Sequence, residues 1–114
     1  MIKAIKTVET KTEMELETPF YYNYTNEKHS FTMIGIVTNN SIMEITIEKF
    51  REDGMQAYEF AFNDKPQIED VYPYMWENKI TKEEFEALYY SVMTGINNSY
   101  PTVHNPLQLH KENA

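Results

Sequence analysis

Residues 31–62, FTMIGIVTNNSIMEITIEKFREDGMQAYEFAF, contain three segments, 31–38, 42–50 and 56–62, in which apolar and polar side chains alternate or run together as they do in strands. Side chains of an extended chain point to opposite faces in turn, so a period of two marks a half-buried strand. In the second segment Met43, Ile45 and Ile47 fall on one face and Glu44, Thr46 and Glu48 on the other. In the third, Tyr58, Phe60 and Phe62 point inward and Glu59 outward. The first is apolar on both phases, as an interior strand requires. Asn39-Asn40 and Asp53-Gly54 supply the turns, since Asn and Gly tolerate the positive φ that tight hairpins demand. The stretch therefore reads as an antiparallel meander.

Upstream, acids and apolar residues alternate from Glu13 to Glu17, and the apolar phase runs on through Phe20, Tyr22 and Tyr24. This predicts one long edge strand, bent or broken at Pro19, because proline cannot donate to a ladder. Residues 26–30 form a polar loop, and residues 2–8 make either a fifth strand or a loose arm. Downstream, Thr81 and Glu84 have capping-box spacing, and Ile80 stands where a hydrophobic staple reaches Phe85. Phe85, Leu88, Tyr89, Val92, Met93 and Ile96 then lay one apolar stripe along a helix, with Gly95, Asn97 and Asn98 as its stop. Pro66 and Pro73 each suit the first turn of a short helix in the connection. The expected fold is α+β, an antiparallel four- or five-stranded meander sheet with one long amphipathic helix packed on one face. It forms a single domain over residues 1–97, followed by an extended or mobile tail over 98–114.

Composition narrows the function. The 114 residues suffice for one domain with one modest core, and 41% hydrophobic residues is too rich for disorder. There is no cysteine, which excludes disulfides and thiolate metal sites and fits a reducing compartment. No signal-peptide pattern opens the chain and no run of apolar residues is long enough to span a bilayer, so a cytoplasmic protein without membrane association is expected. Eighteen acidic against ten basic residues, a formal charge of -8, would repel phosphate backbones, so direct nucleic-acid binding is not expected. The same field attracts a basic protein surface.

Chemical machinery is sparse. His29, His104 and His110 lack the spacing of zinc ligands, and Gly35, Gly54 and Gly95 are too far apart for a phosphate-cradling loop. No serine stands in a nucleophile motif, so neither a catalytic residue nor a cofactor is expected. Two features remain as binding candidates. One is the aromatic segment with Tyr72, Tyr74 and Trp76, residue types enriched at binding hot spots, whose structural alternative is to cap an open end of the core. The other is the set of outward acids Glu13, Glu15, Glu17, Glu44, Glu48 and Glu59, which would line one sheet face if the strands pair as supposed. Their structural alternative is a solvated, aggregation-resistant surface.

The opening residues, Lys3-Ala-Ile-Lys-Thr-Val8 and Glu13-Met-Glu-Leu-Glu-Thr-Pro-Phe-Tyr-Tyr22, together with Ile80-Thr-Lys-Glu-Glu-Phe-Glu86, resemble small proteins encoded by phages and mobile elements of gut Bacteroidota. Those proteins have no assigned activity, so the resemblance implies an accessory-genome origin and a host-cell cytoplasmic location but no site residue. The functional expectation is a small non-enzymatic protein-protein interaction module, in that setting a modulator of a host or defence protein. The rival is a structural or assembly protein that self-associates through a sheet edge, and an enzyme with an unrecognised site ranks below both.

Overall fold

The computed structural model describes residues 1–7, 9, 11–49 and 56–99, with side chains of the final helix described as far as Ile96. The expected Asp53-Gly54 turn and everything from Tyr100 onward, including His104 and His110, lie outside the described residues. Among the described residues the order of elements is β1 (Ile2–Thr7), β2 (Thr12–Leu16), β3 (Phe20–Asn26), β4 (Phe31–Val37), β5 (Ser41–Lys49), β6 (Gln56–Asp64), a 3-10 turn (Ile68–Asp70), α1 (Pro73–Trp76), β7 (Lys79–Ile80) and α2 (Lys82–Ser99). Strands β3 to β6 form the antiparallel meander, and β7 adds a short fifth strand beside β3, giving the order β6-β5-β4-β3-β7. The protein is α+β, with the long helix on one face of a five-stranded sheet and a separate two-stranded sheet, β1-β2.

The hairpin between β4 and β5 closes across Asn39-Asn40, with the Thr38 N–H bonded to the Ser41 carbonyl at 2.9 Å, but neither asparagine takes the positive φ expected of it; Thr38 Oγ1 instead holds the turn by accepting from the Asn40 and Ser41 N–H groups. This sets the register, pairing Val37 with Ile42, Gly35 with Glu44 and Met33 with Thr46. Carried across the sheet, the pairings put Phe20, Tyr22, Val37, Gly35, Ile42, Glu44, Glu48, Ala61 and Glu59 on one face, and Tyr21, Ile34, Ile36, Met43, Ile45, Ile47, Tyr58 and Phe60 on the other.

Helix α2 covers the second face. Its capping box is reciprocal, Glu84 N–H donating to Thr81 Oγ1 at 3.1 Å and Thr81 N–H to Glu84 Oε1 at 3.3 Å. Phe85, Val92, Met93 and Ile96 bury against Ile34, Met43 and Ile45. Each such side chain contributes about 1.5–3 kcal/mol relative to exposure, so the four together outweigh the cap, worth about 0.5–2 kcal/mol. Gly95 is not a stop, because α2 runs through it to Ser99. Its missing side chain instead makes room for Tyr58, whose hydroxyl lies 2.5 Å from where a Cβ at 95 would stand.

Two further expectations are revised. The alternation from Glu13 to Tyr24 is broken at Pro19, one of the two expected outcomes, but its second half is not an edge strand: at Pro19, whose Thr18-Pro19 peptide is cis, the chain leaves the two-stranded sheet and enters the main one, where β3 lies between β4 and β7. The apolar phase survives the break because Leu16, Phe20 and Tyr22 bury in the same cluster with Ala4, Val37, Ile42, Val71 and Met75. Phe62 lies on the α2 face opposite Met43 but is 51% exposed rather than buried, since it lies on the outermost strand and the cluster under α2 reaches only Tyr58 and Phe60. The sheet face bearing Glu44 is consequently not an open surface. The β1-β2 hairpin and the segment from Val71 to Trp76 cover one end of it and form a second, smaller core.

Candidate functional site

The candidate site lies where α1 meets β5 and β6, and it begins with a glycine. Tyr22, Gly35 and Glu44 stand side by side on β3, β4 and β5. The hydroxyl end of the Tyr22 ring lies against Gly35, so close that a Cβ there would overlap its Cζ and Oη. An interior-strand glycine often marks such an approach. The ring thereby spans β4, and its hydroxyl donates to Glu44 Oε2 at 2.6 Å.

A second phenol reaches the same oxygen. Pro73 opens α1 at its first position, and this one-turn helix buries Met75 while turning Tyr74 over the sheet. The Tyr74 hydroxyl donates to Glu44 Oε2 at 2.6 Å. Its ring meets Tyr22 edge-on at 5.9 Å, Tyr24 at 5.3 Å and Tyr72 in a stack at 5.9 Å. Burial, and then the charge of Glu44, push the Tyr22 phenol far above its ordinary range. Tyr74 moves the same way, through burial first and then its hydrogen bond to Glu44. Both phenols therefore stay protonated and act as donors, and neither supplies a base near neutral pH.

Asp70 completes the acidic lining. At the end of the 3-10 turn its Oδ2 accepts from Gln67 N–H at 2.6 Å and from Asn63 Nδ2 at 2.9 Å, which ties the turn to β6. Glu44 and Asp70 line one cavity of about 200 Å³ with Tyr72 and Tyr74 as its aromatic walls and Ile42, Ala61 and Met75 as its apolar lining. Glu44 Oε1 and Asp70 Oδ1 have no hydrogen-bond donor among the described residues, and no basic residue lines the cavity. The volume is below the roughly 300–1,000 Å³ of sites for whole small molecules.

The nine expected binding residues are thus divided. Glu44, Tyr72 and Tyr74 meet at the cavity. Glu48 and Glu59 are exposed on the same sheet face, farther along β5 and β6. Glu13 and Glu15 are exposed on β2 in the separate hairpin, opposite Ile5 and Lys3, and Glu17 follows that strand. The acids accordingly do not form one array. The aromatic segment is divided too: Val71 and Met75 are buried, Trp76 packs against the smaller core, and Tyr72 is 52% exposed. Tyr22, Asn63 and Asp70 were not anticipated. The available signal was Gly35 within an otherwise apolar strand; Asp70 carried none, because its role depends on how the connection folds back on β6.

No family model, curated protein or solved structure matches the chain. Among the described residues no group of three or more His, Asp or Glu converges as a metal site, and no helix is long and apolar enough to cross a membrane.

Proposed function

We propose that this protein is a small non-enzymatic interaction module that binds a basic surface of a partner protein with the sheet face carrying Glu44, Glu48 and Glu59 and with the adjoining Tyr72 and Tyr74. The carrying observation is the shared face. Glu48 pairs with Ala57 and Glu59 with Thr46, so the two acids are diagonal neighbours separated by short side chains, and neither has a cationic partner among the described residues. Charges arranged this way steer a basic partner and set its orientation. On the resemblance of the opening residues, the partner is a host or defence protein met by a phage-encoded modulator.

The test is affinity capture of partners at low and high salt by the native chain and by Glu48→Lys/Glu59→Lys. A specific partner held by the native chain, released by salt and missed by the variant is the expected result. Equal retention by both chains overturns the reading.

A second reading, self-association, is supported by β6. Its outer edge has no strand beside it among the described residues, and it extends over nine residues from Gln56 to Asp64. Such an edge is a template for pairing with another copy. Sedimentation of the native chain distinguishes the readings: a mass rising with concentration supports assembly, and a constant monomer mass rules it out.

A further inference from the structure

We infer that the cavity between α1 and β6 receives the guanidinium group of an arginine side chain from the partner protein. The inference rests on the interaction reading above and names the anchor that the partner inserts. Glu44 and Asp70 each have one oxygen held by neutral donors, two phenols on Glu44 and an amide pair on Asp70. Those donors orient the carboxylates without neutralising them. Two negative charges therefore face a cavity with no basic lining residue.

Three properties select the occupant. The charge calls for a cation. Tyr72 and Tyr74, stacked within 7° of parallel at 5.9 Å, present aromatic surface, against which a planar guanidinium packs better than a compact, strongly hydrated ammonium. The volume of about 200 Å³ suits one long side chain rather than a cofactor. A divalent metal ion fits less well, because two carboxylates with aromatic walls fall short of the six or more oxygen ligands that calcium takes.

The test is a titration of the full chain with N-acetyl-arginine amide, followed through backbone amide NMR shifts. Saturable shifts at Ala61, Asn63, Asp70, Tyr72 and Tyr74 are expected, with none from the citrulline analogue, which has similar shape and no charge. Asp70→Asn weakens binding about ten-fold, the loss of one charge-assisted contact. Tyr72→Ala, which truncates a residue outside both cores, weakens it about three-fold and serves if Asp70→Asn disturbs the 3-10 turn. Glu83 is exposed at the start of α2, over the opposite face of the sheet, so Glu83→Lys leaves arginine binding within about two-fold. Absence of saturable shifts, equal binding of citrulline, insensitivity to both cavity variants, or displacement by equimolar magnesium overturns the inference. Tighter binding of spermidine makes the cavity a site for free polyamines and likewise overturns it. If capture fails but arginine amide binds, only the partner reading falls.

Discussion

At the residue scale the site depends on an absence. Gly35 has no side chain, so Tyr22 can lie across β4 and reach Glu44. Gly35→Ala would drive a methyl group into the Cζ–Oη end of Tyr22, with the neighbouring strands fixed on both sides; overpacking of this kind destabilises by about 1–3 kcal/mol. Urea denaturation should show that loss, and a stability equal to the native chain would show that the ring has another place to go. The two phenols make a further prediction. Free tyrosine ionises near pH 10, whereas Tyr22 in the folded chain holds its proton well above that value because it is buried beside Glu44. Above pH ~10 the unfolded chain thus binds fewer protons than the folded one, and stability falls as pH rises. Below that pH the group contributes no slope. Tyr22→Phe should flatten the decline between about pH 10 and 11 by up to ~1.4 kcal/mol per pH unit, read from urea midpoints; identical slopes would refute the linkage.

At the scale of elements, α2 shows how one residue serves two demands. Glycine within a helix costs about 1 kcal/mol relative to alanine, yet position 95 faces the Tyr58 hydroxyl at a distance no Cβ tolerates. Gly95→Ala in the native chain therefore sets a helix gain against a steric loss. In a Tyr58→Phe background the obstruction is gone, and the same substitution should stabilise by about 1 kcal/mol. A double-mutant cycle by thermal denaturation measures the coupling, and additive effects would argue against the contact. The helix was legible in advance because its cap and stripe are local patterns of three to eleven residues' spacing. The glycine was misread as a stop because its partner lies on β6, more than thirty positions away.

For the whole molecule, two cores of unequal composition share one sheet. The larger lies between α2 and strands β4 and β5, while the smaller is assembled from the hairpin, β3, the 3-10 region and α1. Central strands paired on both sides and covered by a helix open last. Amides of β4 and β5 should therefore exchange slowest, and those of the β1-β2 hairpin faster. Leu16→Ala, a cavity in the smaller core worth about 2–5 kcal/mol, should accelerate exchange in the hairpin and α1 more than in α2. Uniform acceleration throughout would mean that the two cores unfold as one.

Alternation, turn residues and the capping box were enough to determine a meander sheet with a helix on it, because each is a relation between near neighbours that holds whatever else the chain does. The Asn39-Asn40 turn marked the hairpin, but that Gly35 stands opposite Glu44 is a matter of register that the structure supplied. Long-range placement required the tertiary structure. The break at Pro19 sends β2 to a second sheet, so Glu13, Glu15 and Glu17 separate from Glu44, Glu48 and Glu59 although all six read alike as outward acids. The connection after β6 folds back to bring Asp70, Tyr72 and Tyr74 beside Glu44. Packing decided that meeting, since burying Val71 and Met75 on the sheet fixes where the intervening side chains must go, and no local pattern encodes which part of the sheet receives them.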